Sequence, residues 1–328
     1  MPVSRLPRRA ALGAMFALPA LAQGQGQGTA DWPGHPVRFI GVFPPGGGTD
    51  IISRLWCQRM SEITGQPFAI ENRSGSGGNI GTEAIARAVP DGRSIGLASV
   101  APLSISPTLY RSLPFDVTKD FSYISGMYQL PNLLVVPMDL PVRSVPELIA
   151  LLRAKPGEYA YASAGPGTSL HIAGAMFASM AGLDIAHVPY RGGTGVQMDL
   201  IAGRVHLMFD NFPSAIQHVR AGRLRGLAVT SAKRSDIAPE LPTMAEFLPG
   251  FAITSWGGVM APAGLPVPLV AQIAALSHRA LADPGLIGRF QENGATPWPV
   301  GPAELAAFRA ADEKAFAPVI RASGAVVD

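Results

Sequence analysis

The chain has 328 residues, of which 48% are hydrophobic and 15% charged, with 37 Gly and 31 Pro, a composition that excludes whole-chain disorder and collagen. At roughly 150 residues per domain the length predicts two domains, each able to bury a core. A single cysteine excludes an internal disulfide, a Cys-rich zinc site and an iron–sulfur cluster. The net charge of +3 arises at the amino terminus, where Arg5, Arg8 and Arg9 stand in a stretch without acids. Setting these three aside from the 26 basic residues leaves a balance with the 23 acidic ones. A balanced chain with no basic patch interleaved with aromatics lacks the footprint of nucleic-acid binding.

Arg5 to Arg9 form a positive start, Ala10 to Leu18 an apolar run too short to span a bilayer, and Ala20-Leu21-Ala22 a small-x-small cleavage site. Residues 1–22 are therefore expected to be a secretory signal peptide. Arg8-Arg9 is compatible with the twin-arginine route as well as with Sec. No Cys follows the cleavage site to carry a lipid, and no later apolar run is long enough to span, so the mature chain is expected to be exported and soluble. The Gln-Gly repeat at 23–28 cannot pack, which predicts a flexible tether over 23–31.

From Val37 short apolar runs alternate with helical patterns, the signature of a parallel sheet wrapped by helices. The first unit reads as strand 37–43, helix 50–63 capped by Thr49, strand 68–71, helix 82–88 and strand 95–100. Two apolar runs then flank Leu130-Pro131-Asn132, where the unit changes. Ser144-Val145-Pro146-Glu147 is a capping box that opens a helix to Arg153. The second unit continues with strands 159–162, 186–188, 207–210 and 225–229, and helices 169–181, 194–202 and 213–221. Strand 253–260 and helices 269–282 and 302–322 are too few to make a third sheet, so the tail is expected to return to the first domain. The predicted division is 32–129 plus 230–328 for one domain and 130–229 for the other. Two crossings, near Tyr128 to Leu130 and Thr230 to Ser231, would form a hinge, a device able to close about a bound molecule.

Three turns carry the candidate chemistry. Phe43-Pro44-Pro45-Gly46-Gly47-Gly48-Thr49-Asp50 runs from a strand through glycines into a helix amino terminus, whose first N–H groups lack partners and attract anions. Ser163-Ala164-Gly165-Pro166-Gly167-Thr168-Ser169 repeats this, with Thr168 or Ser169 serving either as N-cap or as ligand contact. Tyr190-Arg191-Gly192-Gly193-Thr194 is a third, and Arg191 could supply a charge. Matching turns in two facing domains would hold an anion between helix amino termini with no metal or cofactor. His171 either lines the cleft or packs on its own helix; His187 reads as core; Asp210 faces the cleft or caps the helix near Pro213. Asp50 either points away from a bound anion or meets an amino or hydroxyl group on it.

Enzyme signatures are missing: no Gly-x-Ser-x-Gly, Walker A or His-Glu-x-x-His occurs, and the six His residues do not cluster. Glu71 follows the first glycines at a distance reminiscent of a dinucleotide site, but the glycine spacing is wrong and an exported chain meets little nicotinamide cofactor. A secreted α/β enzyme acting on a small carboxylate in the same cleft is the alternative.

Taken together, the first turn, Glu71-Asn72-Arg73-Ser74-Gly75-Ser76-Gly77-Gly78-Asn79-Ile80-Gly81, Pro90-Asp91-Gly92, Leu113-Pro114-Phe115-Asp116, His187-Val188-Pro189-Tyr190-Arg191-Gly192, Leu227-Ala228-Val229-Thr230 and Trp256-Gly257-Gly258 resemble the Bug family of periplasmic solute receptors, the receptor components of tripartite tricarboxylate transporters. The resemblance covers the mature chain. It implies a type II periplasmic-binding-protein fold, a cleft for a small carboxylate, membrane transporter subunits as partners, and a monomer. Carried over, the contacts would be Pro45, Gly46, Gly47, Thr49 and Asp50, with Ser99 and Ala101, in one domain. In the other they would be Ser163, Gly165, Thr168, Ser169, His171 and Asp210, with Arg191 and Gly192 at the third turn. The chain departs from the family pattern at Pro45, where Ala is usual, and near Gly195, where a Pro is usual.

Overall fold

The computed structural model describes Met1, residues 32–322 and Val327; the expected signal peptide and tether lie outside the described residues. The first lobe begins with β1 (Val37–Gly41), α1 (Gly48–Thr64), β2 (Phe68–Asn72), α2 (Asn79–Ala86) and β3 (Ser94–Ser99). A π turn at Ala101–Ile105 and the short α3 (Ser106–Leu109) follow. The next strand, β4 (Phe121–Pro137), leads through α4 (Val145–Ala154) into β5 (Ala160–Ser163), α5 (Ser169–Ala181) and β6 (Ala186–Pro189). Then come α6 (Gly193–Ile201), β7 (Leu207–Asn211), α7 (Phe212–Arg220) and β8 (Leu224–Val229). The chain ends with β9 (Thr254–Pro262), α8 (Val267–Leu281), α9 (Pro284–Glu292), β10 (Thr296–Pro297) and α10 (Pro302–Ala322).

Antiparallel strands join the parallel sheets expected from the alternating runs. β2, β1 and β3 are parallel, as are β6, β5 and β7, and these are the strands of the two repeated units. β9 pairs antiparallel with β3 and with the first part of β4, whose second part pairs antiparallel with β7 and β8. Apolar periodicity marks a strand but not its direction, which depends on the partner to which the connection returns it.

A correction concerns β4. The two apolar runs around Pro131 are one continuous strand of 17 residues. Pro131 pairs with Thr254 as the last step on β9, and Asn132 already pairs with Asn211 of β7. The proline thus falls where the strand changes partners, a place where an imino nitrogen is tolerated. Here the returning chain is bonded to the outgoing one. The Thr230 hydroxyl accepts from the Asn132 N–H at 2.8 Å and donates to the Ile253 carbonyl at 2.7 Å, while Thr230 N–H donates to Asn132 C=O at 2.9 Å. All three residues are buried, so these bonds fix the two crossings side by side.

Caps differ from expectation in two places. Gly47, not Thr49, is the N-cap of α1 and offers no side chain to the first-turn amides. Ser144 accepts from Glu147 N–H, but the Glu147 carboxylate reaches Arg143 N–H at 2.7 Å instead of closing the box on Ser144. α9, capped by Asp283, was not anticipated because Pro284 and two glycines obscure its period.

The core of the first lobe centres on Trp56, whose ring meets Phe39 at 5.5 Å and Phe68 at 5.9 Å and whose indole N–H donates to Ser277 at 3.2 Å. This anchors α1 against both β1 and α8. Its other end meets the second lobe, where a Cβ on Gly48 would stand 2.6 Å from Cβ of Asn211. Nearby, a Cβ on Gly77 would lie 2.3 Å from the Pro166 carbonyl oxygen, at a φ of +62°. The lobes approach so closely because the seam lacks side chains at these points.

Gly48→Ala adds one methyl at a helix position that accepts Ala, so its effect is confined to the seam. We expect the lobes to spread, giving a larger radius of gyration in small-angle scattering with unchanged circular dichroism. Equal radii for both proteins would show that Asn211 yields locally instead.

Candidate ligand-binding cleft

Five strand-to-helix junctions open on one cleft between the lobes. Gly47 and Thr49 come from the β1–α1 turn, Ser99 and Ala101 from the end of β3, Thr168 and Ser169 from the β5–α5 turn, Gly193 from the start of α6, and Asp210 with Asn211 from the β7–α7 junction. Each contributes the amino end of a helical segment, where N–H groups are unpaired within the helix and the dipole is positive. Among the described residues no Lys or Arg lines the cleft, and Asp210 is its one ionisable side chain.

The cleft is narrow, with a cavity volume of about 30 Å³, room for roughly two water molecules. An outer vestibule of about 230 Å³ shares Phe43, Pro44 and Ala164 with it and carries Gly165 and Arg191.

The expected site residues divide accordingly. Gly47, Thr49, Ser99, Ala101, Thr168, Ser169 and Asp210 line the inner cleft; Pro45, Gly46, Asp50, Ser163, His171 and Gly192 do not. Gly192 instead lies against Pro44, where a Cβ would stand 2.3 Å from Cγ. Gly48 and Gly193 belong to the turns singled out in the sequence without being named as contacts, and Asn211 and Ser255 were missed. Asn211 could have been found as the residue joining a buried strand to a Pro-started helix, whereas Ser255 on β9 gave no local signal.

Residues outside the lining hold it in shape. Asp50 points back into the first turn: one oxygen accepts from Gly46 N–H at 2.9 Å and Arg54 Nε at 2.8 Å, the other from Asn72 Nδ2 at 2.8 Å. Asn72 also donates to Phe43 C=O at 2.8 Å, so the carboxylate and amide together brace both ends of the glycine turn. In the second lobe Thr168 caps α5, accepting from His171 N–H and donating to Gly165 C=O. His171 Nδ1 accepts from Gly167 N–H at 3.2 Å, and its ring stacks on His187 at 4.1 Å, which in turn lies over Tyr161 at 4.8 Å. His187 Nε2 is 2.8 Å from the Ser163 hydroxyl. Both open possibilities for His171 thus resolve into support of the turn from behind.

Asp210 is 2% exposed. Its Oδ1 accepts from Asn211 N–H at 2.8 Å and its Oδ2 from Gln197 Nε2 at 2.6 Å and the Ser214 hydroxyl at 3.0 Å. Burial pushes its pKa up to about 6 despite these donors. Among the described residues no group of three or more His, Cys, Asp or Glu is placed to hold a metal ion, and no helix is long and apolar enough to cross a membrane.

Two α/β lobes, linked by paired crossings and closing on a cleft lined by helix amino termini, define a periplasmic-binding-protein fold. Residues 52–325 match the family described as "Tripartite tricarboxylate transporter family receptor", and the chain belongs to that family of solute receptors. It is 35% identical over 296 residues to Protein BugT of Bordetella pertussis, covering 90% of this chain and 91% of that one. Among solved structures it resembles R. palustris Rpa4515 with adipate, with a TM-score of 0.88 and 35% identity over 90% of this chain and 99% of that one. MatC from Rhodopseudomonas palustris with bound malate follows at a TM-score of 0.83 and 27% identity, covering 88% and 100%.

Burial holds the His171 and His187 imidazoles well below the usual histidine range, at about 4 and about 3, with His171 adding to the effect on His187. Both are neutral near neutrality, whereas in the unfolded chain they take protons near pH ~6.5. Their stacking therefore stabilises the fold above pH ~6.5, and the contribution is lost as pH falls towards the folded values. The melting temperature should drop across that window, and drop less steeply in His187→Gln. Parallel pH profiles in scanning fluorimetry would place the acid sensitivity elsewhere.

Proposed function

We propose that the mature chain is an exported, monomeric receptor that binds a small dicarboxylate in the interlobe cleft and delivers it to a membrane transporter of the tripartite tricarboxylate type. The observation that carries this reading is the convergence of five helix amino termini on a cleft without a cationic side chain. Oriented amides and hydroxyls suit a carboxylate, since hydrogen bonds to a charged group contribute ~1.5–3 kcal/mol each and a helix terminus up to ~2 kcal/mol. Three or four such interactions, less association costs, reach the ~8 kcal/mol of a micromolar complex. Relatives solved with adipate and with malate support a dicarboxylate.

Export by the Sec or twin-arginine route follows from the amino-terminal pattern, and the domain division from the two crossings at Asn132 and Thr230. In this reading the lobes part to admit the anion and close over it, and the closed outer face is what the transporter reads. The vestibule with Arg191 is the path of entry, its charge exposed at the rim.

Titration calorimetry with adipate should show binding without turnover, and Gly47→Val should weaken it at least a hundredfold. A Cβ there meets nothing nearer than Pro44 C=O at 3.7 Å, so the valine is accommodated while its methyl groups stand over the first-turn amides. Undiminished affinity in a folded Gly47→Val protein would remove the first turn from the site. Conversion of the added dicarboxylate to a product would favour the secreted-enzyme alternative.

A further inference from the structure

Asp210 is out of place in a cleft for an anion. It is a carboxylate on the wall, buried, held by three neutral donors, and among the described residues paired with no cation. Among the described residues the donor to its Oδ1 is Asn211 N–H, and this oxygen faces Gly193 at the amino end of α6, 3.6 Å from where a Cβ would stand. A carboxylate oxygen has room for a further partner there. Two carboxylates sharing a water-poor site cannot both remain ionised, because repulsion at short range drives one of them to take a proton.

The other ionisable groups on the surrounding elements do not relieve this. On α1, Asp50 is committed to Gly46, Arg54 and Asn72. On α6, Asp199 is tied to Tyr190 and Arg204. On α5, His171 accepts from Gly167 and stacks on His187 of β6. On α7, His218 reaches Asp210 only through Gln197, its Nε2 lying 3.2 Å from Gln197 Oε1, while Arg220 is exposed at the far end of that helix. No charge on these elements is placed to neutralise a second carboxylate beside Asp210.

We propose that Asp210 takes up one proton when a dicarboxylate enters the cleft and presents the resulting O–H as a donor to the ligand carboxylate, so that ligand and proton are bound together. The step is balanced: solvent or buffer supplies the proton, an O–H bond forms on Asp210, and no other bond breaks. The inference rests on the dicarboxylate reading above and adds to it a pH rule. The free carboxyl, raised by burial to about 6, is already protonated in mildly acidic solution and ionised above neutrality. Binding of the dianion should therefore weaken roughly tenfold per pH unit above about 7, as linkage requires for one proton.

The test is calorimetry on the mature chain with succinate, glutarate, adipate and pimelate, at about pH 5 and about pH 8, in buffers of different ionisation enthalpy. At the higher pH, where the ligand is fully ionised, the wild type should take up close to one proton per ligand. Asp210→Asn should lose both the uptake and the pH slope. If the wild type binds a dicarboxylate at about pH 8 with no proton uptake, this inference is overturned while the receptor reading stands; this measurement does not depend on any variant folding. Uptake that survives in Asp210→Asn but disappears in His218→Gln would assign the proton to the histidine and overturn it equally. Binding of none of the four at either pH would overturn the dicarboxylate reading, and the inference with it.

Discussion

Holding an anion away from water without a cation requires many oriented dipoles, and the whole arrangement of this protein serves to bring them to one place. β1, β3, β5, β6 and β7 each hand the chain to a helical segment whose first amides open on the cleft. A single helix terminus is a weak partner; five, in a space with almost no free water, replace a hydration shell. This explains why glycines and small hydroxyl residues dominate the lining.

That lining is only as precise as its backing. Asp50 and Asn72 brace the first turn, while Thr168, Ser163 and the His171–His187 stack brace the second. The lobes need a comparably exact relation. Here the bonds joining Thr230 to Asn132 and Ile253 hold the crossings together at the point where β4 changes sheets. Asn132 also accepts from Asn211 Nδ2 at 2.8 Å, so the crossing touches the cleft wall directly. Movement at the crossing and the shape of the site are thus physically linked.

The repeated βα units were legible in the sequence because a buried parallel strand and an amphipathic helix differ in apolar period. The helix at 169–181 is found at its predicted bounds. The glycine turns were legible as well, since positive φ and close approach leave few other residues possible. Less legible was which turn residues face inward. Asp50 and His171 lie in the right turns yet point behind them, because a side chain one position along a helix is rotated by about 100° and only the packing of the neighbouring element decides its direction.

By itself, then, the chain's order of residues determined two α/β units, their anion-seeking turns and the likeness to a family of solute receptors, all of which depend on local periodicity and on motifs contiguous in the chain. Only the tertiary structure decided the antiparallel placement of β4 and β9, the contribution of Ser255 to the cleft, and the setting of Asp210 in a cleft that no described Lys or Arg lines. The reason is one of range. Strand direction, cleft membership and the charge environment of a buried carboxylate are set by partners far away in the sequence, and no local pattern encodes them.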